Sequence, residues 1–122
     1  MIGYVTLGTN NLARAADFYD ALFALIGAKR IWEFESGISW GKDPKQPQLA
    51  LMQPFNKHPA TVGNGVMVAI QVDTRDMVDQ LHAKALALGG QDEGAAGLRG
   101  GNFYAGYFRD LDGNKLNVFA TV

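Results

Sequence analysis

The chain contains no cysteine and only two histidines, His58 and His82. Disulfides, thiolate nucleophiles and cysteine-based metal sites are therefore excluded, and imidazole chemistry is confined to two positions. No apolar run approaches the ~20 residues that a bilayer span requires. Charge of one sign is missing too: 11 Lys and Arg face 12 Asp and Glu, for a formal net charge of −1. Nucleic-acid binding thus has no electrostatic footprint. The sequence opens directly into strand-like residues, without the charged region and apolar core of a signal peptide. Together with the absent cysteines, this sets the expectation of a cytoplasmic protein. No serine elbow and no His–carboxylate pair is expected from the sequence, nor a phosphate-cradling loop, since Gly63-Asn64-Gly65 precedes a strand rather than a helix.

What is present fits one globular domain of 122 residues, 48% hydrophobic and 19% charged. Laying residues 4–27 on residues 67–90 matches Val5 with Val68, Leu7 with Ile70, Phe18 with Leu81, Leu25 with Leu88 and Gly27 with Gly90. Each unit starts with a short strand, Ile2 to Gly8 and Val66 to Val72. A polar cap follows, Asn10 or Asn11 in the first unit and Asp73 with Asp76 as box partner in the second. Leu12, Ala15, Ala16, Tyr19, Leu22, Phe23 and Ile26 recur at helical spacing, as do Met77, Val78, Leu81, Ala85 and Leu88. Gly27 and Gly89-Gly90 stop these helices. The period then falls toward two, over Lys29–Phe34, Ile38–Trp40 and Gln48–Gln53, and over Phe103–Phe108 and Lys115–Ala120. A glycine-rich stretch, Gly94 to Gly101, precedes the last two and is expected to form a mobile rim or lid. Module 1 thus covers about residues 1–55, a linker about 56–64, and module 2 about 65–122.

Tyr107-Phe108-Arg109-Asp110-Leu111-Asp112-Gly113-Asn114-Lys115-Leu116-Asn117-Val118 reads as a hairpin, two apolar runs joined by an Asp/Gly/Asn turn. It resembles the closing hairpin of the vicinal oxygen chelate superfamily, which includes glyoxalase I, fosfomycin- and bleomycin-resistance proteins and extradiol dioxygenases. Asp17-Phe18-Tyr19-Asp20-Ala21-Leu22, the linker from Pro54-Phe55 to Gly63-Asn64-Gly65-Val66, and the helix ending Ala83 to Gly90 are similar as well. The resemblance implies an α+β fold of two βαβββ modules, forming a curved, cup-shaped mixed sheet with helices outside. By analogy with the superfamily it also implies a homodimer.

Metal-binding members hold a divalent cation with His and Glu side chains from the first and last strands of each module. Carried over, these positions fall on Tyr4, Met67 and Asn117, with the fourth between Leu49 and Gln53. None is His, Asp or Glu. Phenol, thioether and carboxamide suit hard or borderline cations poorly, so no metal and no cofactor is expected. His82, between Leu81 and Ala83, reads as a partly exposed helix residue.

If Asn117 faces the cup, alternation puts Phe119 beside it and a symmetric turn puts Tyr107 opposite. The same logic groups Tyr4 with Thr6 and Met67 with Gln71. Two readings stay open: an aromatic small-molecule site, or a collapsed core with Met67 as filler. In the first module Arg30, Trp32 and Phe34 alternate along one strand, with Glu33 on the opposite face. Arg30 is read either as gripping an anionic or planar ligand or as a snorkelling residue at a strand end. The candidate ligand-binding residues are thus Tyr4, Arg30, Trp32, Met67, Tyr107, Asn117 and Phe119. The expected function is metal-free binding of a small aromatic or amphipathic molecule, as in bleomycin-resistance relatives. The alternatives are a glyoxalase-like lyase or isomerase with an atypical metal site, and a non-catalytic dimerisation domain.

Overall fold

The computed structural model describes residues 1–121. The chain divides into two compact units at the junction of Val62 and Gly63, and each is a βαβββ module. The first comprises β1 (Tyr4–Gly8), α1 (Leu12–Ala24), β2 (Lys29–Phe34), β3 (Gly37–Gly41) and β4 (Gln48–Met52). The second comprises β5 (Val68–Gln71), α2 (Arg75–Ala87), β6 (Gln91–Leu98), β7 (Phe103–Arg109) and β8 (Lys115–Thr121). The class is α+β, and the strands form two open four-stranded sheets, ordered β1-β4-β3-β2 and β5-β8-β7-β6. Each sheet is mixed: β1 runs parallel to β4, and β5 to β8, while the other pairs are antiparallel. Among the described residues no helix is long and apolar enough to cross a membrane.

Both helices form for the reasons their sequences suggest. In α1 the Asn11 side chain accepts a hydrogen bond from Arg14 N (3.0 Å). Ala15, Ala16, Phe18, Tyr19, Leu22 and Phe23 make one buried stripe. In α2 the cap is Thr74, whose Oγ1 accepts from Met77 N (3.1 Å). Thr74 replaces the expected Asp73, which leaves Met77 at the third helical position and so removes any capping box. Both C-termini are Schellman motifs, with left-handed Gly27 (φ 73°) and Gly89 (φ 100°). Ala28 N bonds Phe23 O (3.1 Å) in the first, and Gly90 N bonds Ala85 O (2.9 Å) in the second. Gly27 is therefore the counterpart of Gly89, and the repeat slips by one residue relative to the sequence match with Gly90.

Three segments differ from expectation. The glycine-rich stretch is mostly ordered structure, since Gln91–Leu98 forms the edge strand β6 paired with β7. A bulge between Arg30 and Glu33 breaks the alternation of β2: Arg30 pairs with Trp40 and Glu33 with Ile38. Arg30 and Glu33 thus share a face, instead of lying on opposite ones. His82 is buried, at 7% exposure, rather than partly exposed.

The β7–β8 turn is built around Asp110, itself only 5% exposed. Its Oδ1 accepts from Asp112 N and Asn114 N (2.9 Å each), and its Oδ2 from Asn114 Nδ2 (3.0 Å). These bonds set the hairpin register, in which Tyr107 sits opposite Asn117. Removing a buried charged acceptor costs about 2–3 kcal/mol. Asp110→Ala should lose that much in urea denaturation and Asp110→Asn less, because the amide keeps one acceptor. Equal stability of Asp110→Ala and wild type would remove the turn from its organising role.

Candidate functional site

Each sheet has a helix-covered face and an opposite face. In the first unit α1 packs on β2, β3 and β4, and its side receives Leu7, Ile38, Trp40, Leu49 and Leu51, all buried. The pairings Tyr4 with Gln48, Thr6 with Ala50, and Ser39 with Ala50 define the other face. On it Trp32 packs edge-on to Tyr4, with ring centroids 6.2 Å apart, and against Phe34 at 5.3 Å. Tyr4 and Phe34 remain 59% and 66% exposed. Tyr4 and Trp32 are thus brought together as an aromatic surface.

Arg30 is not part of that surface. It lies on the helix side, where its guanidinium forms a fork with Asp20 of α1 (Nε to Oδ1 2.9 Å, Nη2 to Oδ2 2.7 Å). A third nitrogen, Nη1, donates to Glu33 (2.7 Å). Trp40 Nε1 donates to the same Asp20 Oδ1 (2.8 Å), and Arg30 lies 6.0 Å from the Trp40 ring. The Arg30 hydrogen bond holds the Asp20 carboxyl below its ordinary value, with Trp40 contributing and partial burial opposing. In turn the Asp20 and Glu33 carboxylates raise Arg30 further. The cluster anchors α1 to β2 and β3, and its arginine is fully engaged.

In the second unit α2 packs on β6, β7 and β8. His82 lies over Gly106, at which an added Cβ would meet the imidazole at 3.0 Å. Its Nε2 is 3.1 Å from both Asp92 Oδ1 and the Tyr107 carbonyl, so it ties the helix to two strands and forms, against expectation, a His–carboxylate pair that the ten-residue separation and the tertiary packing hide in the sequence. A backbone bond from Gly94 and the His82 contact, with burial opposing, keep Asp92 below the usual carboxylate range.

The face opposite α2 carries the remaining candidates. Tyr107 pairs with Asn117, Ala105 with Phe119, and Asn117 with Ala69. Phe119 stacks on Phe103 at 5.1 Å. Met67, which precedes β5, is 40% exposed. Asn117 is 1% exposed, and its Oδ1 is buried with no hydrogen-bond partner. Two cations missed from the sequence lie against the Tyr107 ring: the Arg99 guanidinium at 5.4 Å and Lys115 Nζ at 5.7 Å. Lys115 was recoverable, because it stands two residues before Asn117 on the same strand and face. Arg99 gives no such signal, since its place depends on how β6 bends back.

The donors do not fit a hard cation. Tyr4 offers a phenol, Met67 a thioether and Asn117 a carboxamide. The pairing now places Gln48, Ala50 and Met52 of β4 on the Tyr4 face, so that strand supplies no carboxylate there either. Among the described residues no three His, Asp or Glu side chains form a group able to hold a metal ion. The orphaned Asn117 oxygen is a neutral, single acceptor, suited to an N–H or O–H donor rather than to a divalent ion.

A surface cleft of about 600 Å³ lies elsewhere, at the end of β4, lined by Thr9, Asn10, Gln53, Phe55, Lys57 and His58 among others. A second of about 480 Å³ overlaps it. Of the seven candidate residues none lines either cleft. Cleft volume and candidate chemistry therefore point to different places, and the aromatic face of the second unit is favoured because it holds the buried, unpartnered Asn117 Oδ1.

This architecture is matched by known proteins. The Glyoxalase/Bleomycin resistance protein/Dioxygenase superfamily matches residues 1–118. A glyoxalase/bleomycin resistance protein from Albidiferax ferrireducens T118 is 31% identical, with a TM-score of 0.88 and 98% of each chain covered. The chain belongs to this superfamily. The fold is shared with a lactoylglutathione lyase from Agrobacterium tumefaciens (22% identity, TM-score 0.71, 98% and 92% covered). It is also shared with a genomically encoded fosfomycin resistance protein from Listeria monocytogenes (17%, 0.74, 100% and 93%). No curated protein matches the sequence.

The ion cluster yields a pH prediction. A carboxyl held below its unfolded value of about 3.9 contributes stability above that pH and loses it as the pH falls through the native value. The stability gap between wild type and Asp20→Asn, measured by urea denaturation, should therefore shrink as the pH drops below about 4. A gap constant down to pH 2 would show that the Asp20 charge contributes nothing.

Proposed function

We propose that the protein binds a small aromatic or amphipathic organic molecule on the faces opposite its helices, without a metal ion. Sequestration of this kind needs only shape, stacking and a few neutral hydrogen bonds. The observation that carries the reading is the buried, unpartnered Asn117 Oδ1 beside Tyr107 and Phe119. A buried acceptor left unsatisfied costs about 1–3 kcal/mol, and a ligand donor removes that cost. On the first module Tyr4 and Trp32 form an aromatic surface of their own, and on the second Met67 is an adaptable apolar contact. We further propose, by analogy with the superfamily, that the protein works as a homodimer in the cytoplasm.

Lyase or isomerase chemistry of the glyoxalase kind is the rival. It needs a cation held by at least three ionised or imidazole donors, which the family's ligand positions do not provide here. Titration calorimetry with Zn²⁺, Mn²⁺ and Ni²⁺ at neutral pH should find less than about a tenth of an equivalent bound tightly. Stoichiometric binding of any of them would overturn the metal-free reading. In a thermal-shift screen of small aromatic compounds, a binder at ~100-fold its dissociation constant should add ~2.7 kcal/mol. Tyr107→Ala should diminish that shift, and the same shift in the variant would place the ligand elsewhere.

A further inference from the structure

The face of the second sheet has a charge as well as an aromatic character. Arg99 and Lys115 both lie against Tyr107. Among the described residues neither forms an ion pair with a carboxylate. The neighbouring Arg109 is neutralised by Glu93, with Nε 2.5 Å from Oε1. That contact, which also lowers Glu93, leaves this carboxylate already committed. Asp92, the other acid of β6, is engaged by His82 and the Gly94 amide. The face therefore carries Arg99, Lys115 and Arg109 against the single Glu93 carboxylate, which pairs with Arg109 and lies within electrostatic reach of Lys115, so a net positive charge remains at the Tyr107 ring.

The position of Arg99 is built into the strand beneath it. An added Cβ on Gly94 would meet Arg99 Nη2 at 3.3 Å, and one on Gly97 would meet Nη1 at 3.3 Å. The guanidinium thus lies over a strip of β6 that has no side chains at these two positions, and Nη2 donates to the Ala95 carbonyl. The glycines that read as a flexible rim form a bed for a cation.

We propose that this face selects aromatic anions, carboxylates or sulfonates on a planar ring system. Arg99 and Lys115 meet the anionic group, and Tyr107 with the Phe103–Phe119 stack receives the ring. The proposal rests on the binding reading above and adds the charge of the ligand to it. Arg offers planar, bidentate donors to a carboxylate or sulfonate. Lys115, half-buried beside the ring, adds a point charge that solvent screens less than it screens the exposed Arg99. A cationic ligand meets the same charges as repulsion, and a neutral one retains stacking alone.

Three probes of one shape separate these contributions: 2-naphthoate, 2-naphthylmethanol and 2-naphthylmethylammonium. Titrated by intrinsic fluorescence at 50 mM NaCl, the naphthoate should bind at least ~10-fold tighter than the alcohol, and the ammonium weakest. Raising NaCl to 500 mM should weaken the naphthoate and leave the alcohol as it was. In the Arg99→Gln/Lys115→Gln double variant the naphthoate and the alcohol should bind within ~3-fold of each other. Gly97→Val keeps every charge but fills the bed of Arg99, and it should lower naphthoate affinity at least ~3-fold. A circular-dichroism melt superimposable on wild type confirms that each variant folds. If one variant fails to fold, the three-probe ranking and salt series on wild type decide alone. Equal binding of all three probes to wild type would overturn the anion proposal and leave aromatic binding standing. Absence of binding by all three would overturn both.

Discussion

The register of the β7–β8 hairpin is the constraint on which the second module's surface depends. Asp110 gathers three donors from its own turn, and in doing so fixes Tyr107 opposite Asn117 and Arg109 opposite Lys115. A slip by one residue would send Asn117, Phe119 and Lys115 to the helix side and put Leu116 and Val118 in their place. The α2 side would then lose its apolar contacts, and the aromatic ring would lose both cations. Local turn chemistry and the hydrophobic pattern enforce the same register, which is why a small module with short strands holds a defined face.

The two modules share a plan and differ in how they use charge. In the first, the basic residue of the outer strand is turned toward its helix by a bulge and consumed by Asp20 and Glu33. Its other face is left to the aromatic side chains, with Lys29 at the start of the strand. In the second, Arg109 is neutralised by Glu93, while Arg99 and Lys115 stay against Tyr107 and, among the described residues, form no ion pair. Glycine serves on both sides of the second sheet, at Gly106 under the imidazole of His82 and at Gly94 and Gly97 under Arg99. Removal of side chains from a strand here admits flat polar groups from elsewhere.

Much of this was legible in the sequence because it depends on short-range rules. Helical spacing gave both helices and their glycine stops, and the turn residues gave the hairpin and its register. What escaped depends on irregular backbone or on tertiary distance. The bulge after Arg30 cannot be seen in a strand that alternates perfectly on paper, so Arg30 was grouped with Trp32 although they face opposite ways. His82 looked exposed because its neighbours in sequence do not reveal that Gly106 makes room for it. A run of glycines suggested mobility, whereas in this chain it describes an edge strand covered by an arginine.

The central proposal is that Asn117, the position onto which the family resemblance carries a metal-binding acid, presents its carbonyl to an organic donor. The Asn117 side-chain amide in a ¹⁵N–¹H correlation spectrum reports on it directly. The account predicts a saturable shift of that resonance, together with the Tyr107 backbone amide, on adding a bound aromatic ligand, and no change on adding Zn²⁺ or Mn²⁺. A spectrum in which the divalent ion perturbs or broadens the Asn117 amide at one equivalent, while aromatic ligands leave it in place, would contradict it.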